Sequence, residues 1–591
     1  MPSSNLSFRT VSRIGPALPN LLLGGLVGAI VALTVLPLGF IAGTGGLWPR
    51  PWGDVSTYLL AWRYFVDDQW RFPLLDVPAI GYPEGGSVLL NDALPIGALA
   101  TKIVYSLTGH AINPFGWWIY LTYVLQGVGA AAVVYVCGVR SRWVSIAAAV
   151  LAICCNPFMR RLWHIALSSH FLVLWALALY VYNVRRGRFT AGWHFALSAM
   201  TILVNSYLFV MIGLLQGTTF VTLWNARMLR PVDWAKATLG LVAVVAIAIA
   251  EGYGALLIGN GSMRAFGFGH YSWNLATLLV PPEAYWGFPR GVVRDATGGQ
   301  HEGEAYLGLG SMLVLVVCLL ARPNQVVAAA RRHWIFCVAL LAFAAYAASN
   351  RVYLGSWLLA DLRPPDRIAG LTSFFRASGR FIWIPMYALG LLSLAALVKW
   401  TPRMIALPVV VLAVLVQVRE ATLTAASLRS VLARPARPLV DTPQVRRWMQ
   451  QHQRLFQFPS WSCGGLDPAR DWTRPETNRE VQLELLAARV GLPTNSVYTS
   501  RQMKDCAAEA HWADRPILED GVLYVLNKTT ARDVPGLAGL ATSRNCIDAD
   551  WGLLCSLRPL TPASQATPMR SGADYEDRQC PANSHVTQST E

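Results

Sequence analysis

The chain has 591 residues, of which 54% are hydrophobic and 14% charged. Soluble globular chains carry about 25% charged residues, so a wholly soluble protein is excluded and a polytopic membrane protein is indicated. The net charge of +16 does not point to nucleic acid as a partner, because the basic residues form short clusters between apolar segments rather than one basic face or tail.

Arg9 and Arg13 precede an apolar run over 21–42. That run exceeds the roughly 7–15 residues of a signal-peptide core, so it is read as a retained anchor. A spanning helix needs about 20 apolar residues. Spans are expected near 18–42, 115–138, 143–157, 166–184, 190–206, 207–225, 235–257, 304–321, 333–349, 381–398 and 403–420. Arg140 and Arg142, then Arg185, Arg186 and Arg188, then Arg227, Arg230 and Lys236, then Arg322, Arg331 and Arg332, then Lys399 and Arg403 fall in alternate connections. Cytoplasmic loops are enriched in such residues. The N-terminus is therefore expected inside, with loops 43–114, 258–303 and 350–380 and everything after about 420 outside. This requires 93–109, with Pro95 and Lys102, to lie at the interface rather than cross.

In 54–66, Val55, Tyr58, Leu59, Trp62 and Phe65 recur at helical spacing with Asp54, Ser56, Thr57 and Arg63 on other faces. This predicts a second interfacial helix. Trp48, Trp52, Trp62 and Trp70 around it match the aromatic enrichment of the headgroup level. Beyond 440 the composition changes. Short strands at 455–459, 496–499 and 523–526 alternate with helical stretches at 479–490 and 501–510, which predicts a small α/β domain. Cys463, Cys506, Cys546, Cys555 and Cys580 lie in this polar part, where disulfides in an oxidising compartment are expected without a readable connectivity. The tail is Ser, Thr, Gln and Asp rich and is expected to be disordered. The fold class is thus an α-helical polytopic membrane protein with about eleven spans and interfacial helices over 1–420, an extracytoplasmic α/β domain over 421–562 and a tail over 563–591.

Two carboxylates bracket the first outer loop. Asp54 can take a proton from an acceptor nucleophile or bind a divalent cation through oxygen, or it can cap the helix that follows. Asp92 precedes a Pro-initiated helix, where capping is again an alternative. Arg376 and Arg380 are four apart in an outer loop that also holds Arg351, Arg363 and Arg367. Planar guanidiniums suit phosphate or diphosphate, and lipid headgroups explain them equally well. Arg160, Arg161, His164 and His170 form another basic group. The two histidines are six apart, not the i,i+4 spacing of helical metal ligands, which favours a structural or substrate-contact role. Glu302, Glu304 and Tyr306 enter the eighth expected span, where acidic groups hint at a pocket. No Walker A or dinucleotide fingerprint is present, so no nucleotide cofactor is expected. Without CxxC spacing, zinc is disfavoured.

With GDVSTYLLAWRYF at 53–65 and NDALPIGAL at 91–99, the chain resembles the GT-C class of membrane glycosyltransferases. These have an acidic residue in the first external loop, interfacial helices, a bundle of spans and often a soluble C-terminal domain. Together with YPEGG at 82–86, EAYLGLG at 304–310 and FFRASGRF at 374–381, it looks still closer to a bacterial family of GT-C-like integral membrane proteins of unassigned function. The resemblance covers about 1–420, and the His-Pro-Pro-Leu of the mannosyltransferases is absent, which leaves the acceptor open. It implies a multi-pass protein of the bacterial cytoplasmic membrane that transfers a sugar from a polyprenyl-phosphate-linked donor to an extracytoplasmic acceptor. Asp54 would be the base or a ligand to Mg2+ or Mn2+, and Asp92 would assist. Arg376 and Arg380 are assigned to the lipid phosphate on charge alone, with Arg160, Arg161, His164, His170, Glu304 and Tyr306 as further substrate contacts. The alternatives are a transporter or flippase of a lipid-linked or anionic substrate, and a non-catalytic envelope assembly protein.

Overall fold

The computed structural model describes residues 15–91, 94–258, 267–281, 295–362, 372–466, 478–500, 504–541 and 545–560. In chain order, α1 is Leu18–Val35, α2 Asp54–Val66, α3 Pro95–Thr108, α4 Phe115–Val136 and α5 Arg142–Ile153. Then come α6 Phe171–Arg186, α7 Ala191–Ile202, α8 Ser206–Asn225, α9 Pro231–Glu251 and α10 Leu309–Ala321. The last in the bundle are α11 Trp334–Ala348, α12 Trp383–Trp400 and α13 Arg403–Leu432.

A helix occupies each expected span, but the number able to cross a bilayer is smaller than eleven. Among the described residues, six helices are long and apolar enough, or up to eight if two bent pairs count as one span each. The six are α1, α4, α8, α9, α12 and α13. Helix α7 has only 12 residues and rises about 18 Å against a hydrocarbon core of about 30 Å. Helix α5 also has 12, and the chain turns by 52° into Asn156–Trp163. The chain over 154–170 holds only a short α-helical turn at Asn156–Arg160 and a 3-10 turn at Arg161–Trp163, and together with 302–308 it lines the site described below. The last helix runs on to Leu432, past the expected boundary at 420.

Helices α1 and α4 pack at backbone contact. A Cβ on Gly24 would lie 2.3 Å from the Gly127 carbonyl oxygen, and one on Gly28 2.2 Å from that of Tyr123. Small residues give membrane helices this approach.

The C-terminal part is the α/β domain its composition predicts. Strands β1 Arg454–Phe458, β2 Val522–Leu526, β3 Cys546–Ala549 and β4 Gly552–Cys555 form one sheet in the order β1-β2-β4-β3. The first pair is parallel and the others are antiparallel. Disulfides join Cys463 to Cys506 and Cys546 to Cys555; Cys580 and the tail beyond 560 lie outside the described residues. The bonds suit an oxidising, extracytoplasmic compartment. The stretch expected as a strand at 496–499 is not one. It runs from Thr494, which bridges both Ile80 and Leu455, along the first loop of the bundle.

That contact changes the reading of α2. Eleven of its thirteen residues are buried and only Asp54 and Arg63 are half-exposed, so it is not an amphipathic helix facing water. The domain helix α14, Arg479–Arg489, covers it, and the Tyr64 hydroxyl donates to the Leu492 carbonyl at 2.7 Å. Around it, Thr494 N–H donates to the Ala79 carbonyl at 3.0 Å and Ser500 N–H to that of Leu90 at 2.7 Å. Helix α3 has 14 residues, too few to cross. It is tied to α2 by Trp62 Nε1 donating to Thr101 Oγ1 at 2.9 Å, and its buried Lys102 sits 4.0 Å over the Phe65 ring.

Candidate active site

Asp54 is the first residue of α2, and Gly53 before it adopts φ 61°, a conformation that glycine takes without strain. The turn brings the carboxylate to the end of the bundle that carries the C-terminal domain. Rather than capping, the carboxylate meets two distant side chains. Its Oδ1 accepts from the Tyr498 hydroxyl at 2.5 Å, and its Oδ2 lies 3.4 Å from His164 Nε2, with a third of the side chain (33%) exposed.

His164 connects Asp54 to a buried cluster. Its Nε2 is also 3.1 Å from Glu302 Oε1. The other Glu302 oxygen accepts from Arg161 Nη1 at 2.6 Å and from Arg380 Nε at 2.9 Å. Arg161 also donates to the His301 carbonyl, and aromatic rings back both guanidiniums, Trp383 at 5.3 Å from Arg161 and Tyr207 at 4.5 Å from Arg380. Glycine makes the convergence possible, since a Cβ on Gly379 would lie 2.6 Å from Gly303 Cα. The turns bearing Arg380 and Glu302 touch backbone to backbone only because both neighbours are glycine. Burial alone would raise the pKa of Glu302, but Arg380, Arg161 and His164 together hold it well below the ordinary carboxylate range. Two guanidiniums against one carboxylate leave this cluster net positive.

The other expected site residues divide. Glu304 accepts from Asn156 Nδ2, and its other oxygen is 3.8 Å from Arg160 Nε, whose side chain is 28% exposed. The Tyr306 hydroxyl turns away into the bundle and donates to Glu420 at 2.5 Å. His170 does not reach the site: it is fully buried, with Nδ1 2.8 Å from the Tyr387 hydroxyl and its ring 4.3 Å from Trp383. Arg376 lies 5.5 Å over the Tyr271 ring and is not joined to the Glu302 cluster as Arg380 is. Asp92 lies outside the described residues. Arg161, expected as a substrate contact, and Arg380, expected on the lipid phosphate, both pair with Glu302. Sequence reasoning missed Tyr498 altogether and placed Glu302 only beside the pocket.

Aromatic rings accompany the residues that meet at Asp54, Trp52 preceding it by two residues, Trp163 preceding His164 and Trp461 packing on Tyr498. Trp52 and Trp163 are half-buried with ring centroids 4.7 Å apart, and Trp461 packs 4.5 Å from Tyr498. A hard cation takes several oxygen ligands; among the described residues Asp54 carries an imidazole on one oxygen and a phenol on the other, and Asp92 lies outside them. Among the described residues no group of three or more His, Cys, Asp or Glu is placed to hold a metal.

These observations define a multi-pass membrane protein with a charged cluster at one end of its bundle and a disulfide-bonded α/β domain seated over it. Residues 25–422 match the family described as Domain of unknown function (DUF6311), and residues 444–555 match the DUF6311 C-terminal domain. The chain belongs to the DUF6311 family. No curated protein matches it.

Proposed function

We propose that this protein is a membrane glycosyltransferase that moves a sugar from a polyprenyl-phosphate-linked donor to an extracytoplasmic acceptor. The observation that carries the reading is the Asp54 carboxylate, one third exposed and held between His164 and Tyr498 at the bundle end under the disulfide-bonded domain. An acceptor hydroxyl attacks the anomeric carbon, the bond from that carbon to the phosphate oxygen breaks, and the proton passes to Asp54. Positioning the base within hydrogen-bond reach is what general-base catalysis requires. The leaving group is polyprenyl phosphate, and stabilising its charge is an electrostatic task. The net positive cluster of Arg161, Arg380 and Glu302 supplies the field. Arg160, paired with Glu304 and more exposed than Arg161 (28% against 6%), is the better candidate for direct contact. The half-buried rings of Trp52 and Trp163 offer flat apolar surface of the kind a pyranose face stacks on.

The test uses the purified full chain in lipid nanodiscs, supplied with a labelled pool of polyprenyl-phosphate sugars and an extract of envelope acceptors. Release of polyprenyl phosphate together with labelled acceptor is expected. Donor that stays intact but changes leaflet in proteoliposomes would replace the transferase with a flippase.

A further inference from the structure

We infer that the C-terminal domain is part of the site, and that Tyr498 is the positioning residue through which it acts on Asp54. The inference rests on the transferase reading for its kinetic consequence, but the contact itself stands on geometry. The Tyr498 hydroxyl donates to Asp54 Oδ1 at 2.5 Å across 444 residues of sequence. The tyrosine is fixed at three points. Its N–H donates to Glu484 on α14 at 2.9 Å, its carbonyl accepts from Asn91 Nδ2 at 2.7 Å, and its ring packs against Trp461. Trp461 is in turn tied by its N–H to Ser496 Oγ at 2.8 Å and stands two residues from the Cys463–Cys506 bond. A phenol held this way directs one carboxylate oxygen and leaves the other toward His164. An appended binding module would not need such a contact.

Among the described residues, the charged and titratable groups facing Asp54 are His164 on Oδ2 and Tyr498 on Oδ1. Glu302, Arg161 and Arg380 stand behind the first, and Glu484 behind the second. Tyr498→Phe removes the hydroxyl that holds Asp54 Oδ1 while sparing the ring packing on Trp461.

Two measurements separate the inference from the proposed activity. The first needs no turnover: carbodiimide, which reacts with carboxyl groups, is applied to the full chain at one fixed pH, and modification of Asp54 is read by peptide mass spectrometry. Tyr498→Phe uncovers Oδ1 and is expected to raise the rate of Asp54 labelling severalfold. The second is transfer, for which the same variant is expected to lower kcat at least tenfold with the donor KM within twofold. If Tyr498→Phe fails to fold, Asn91→Ala, which keeps the hydroxyl but loosens its backbone, is expected to raise the labelling rate by less. An unchanged labelling rate in a folded variant overturns the inference. Absence of transfer by the wild type, with the labelling rate raised in Tyr498→Phe, overturns the transferase reading and leaves the composite site standing.

Discussion

His164 Nε2 stands 3.1 Å from Glu302 Oε1 and 3.4 Å from Asp54 Oδ2, so one imidazole joins the half-exposed carboxylate of the first outer loop to the buried Glu302 and its two arginines. Removing Glu302 should therefore be felt both in stability and at Asp54.

Glu302 is 6% exposed and its two arginine partners 6% and 9%. Deleting one partner of a buried pair leaves an uncompensated charge and costs about 3–5 kcal/mol. We expect Glu302→Gln to lose that much in denaturant unfolding of the detergent-solubilised chain. Arg380→Met should cost a comparable amount alone. The double variant should cost clearly less than the sum, because groups in one network are not additive.

The same network sets a pH dependence with a definite sign. The folded-state pKa of Glu302 is depressed relative to about 4.3 for the unfolded chain. The unfolded chain thus takes up the proton first as pH falls. The stability contributed is complete above roughly pH 5 and is lost progressively as pH drops through 4 toward the folded value. Melting temperature followed from pH 8 to 3 should show the fall in the wild type and a shallower one in Glu302→Gln.

The two disulfides should differ in weight. Cys463–Cys506 spans 43 residues and Cys546–Cys555 spans 9. By loop-closure entropy the first is worth on the order of 4 kcal/mol and the second roughly 3. Cys463→Ala with Cys506→Ala should make the domain the first part of the chain cut by protease. Because that bond adjoins Trp461, the variant should also lose more transfer than Cys546→Ala with Cys555→Ala.

Lys102 is 1% exposed, yet its ammonium lies over the Phe65 ring and donates to the Gln69 carbonyl at 3.2 Å. A desolvated cation on an aromatic face together with one hydrogen bond is worth about 2 kcal/mol. Lys102→Met should lose about that in stability and loosen the 67–72 segment, read as faster hydrogen exchange there, while α12 stays protected.

Much of the bundle was legible because long apolar runs bounded by basic clusters can hardly be anything else; α12 and α13 are such runs. Helix α7 was misjudged in length because apolarity continues through Leu203 and Val204 although the helix has ended. Asn205, whose side chain accepts from the N–H groups of Tyr207 and Leu208, marks the restart, and hydropathy alone does not register a cap. Asp54 was legible from its place beyond the first helix, but not its partners. Glu302 finds its arginines 141 and 78 residues away, and no local spacing encodes an ion pair between loops. Burial of α2 was unreadable for the same reason, since its cover comes from α14 near the other end of the chain. The two glycines at 303 and 379 were visible in the EAYLGLG and FFRASGRF neighbourhoods, but what they permit is a contact between loops that only the fold brings together.

The most direct test is transfer by Asp54→Asn in nanodiscs, beside the wild type and Asp54→Glu. The substitution keeps the shape and removes the base. We expect release of polyprenyl phosphate to fall at least a hundredfold, the order that loss of a general base commonly costs, with the melting temperature nearly unchanged and partial activity in Asp54→Glu. Transfer by Asp54→Asn at the wild-type rate would contradict the assignment of this carboxylate as the base.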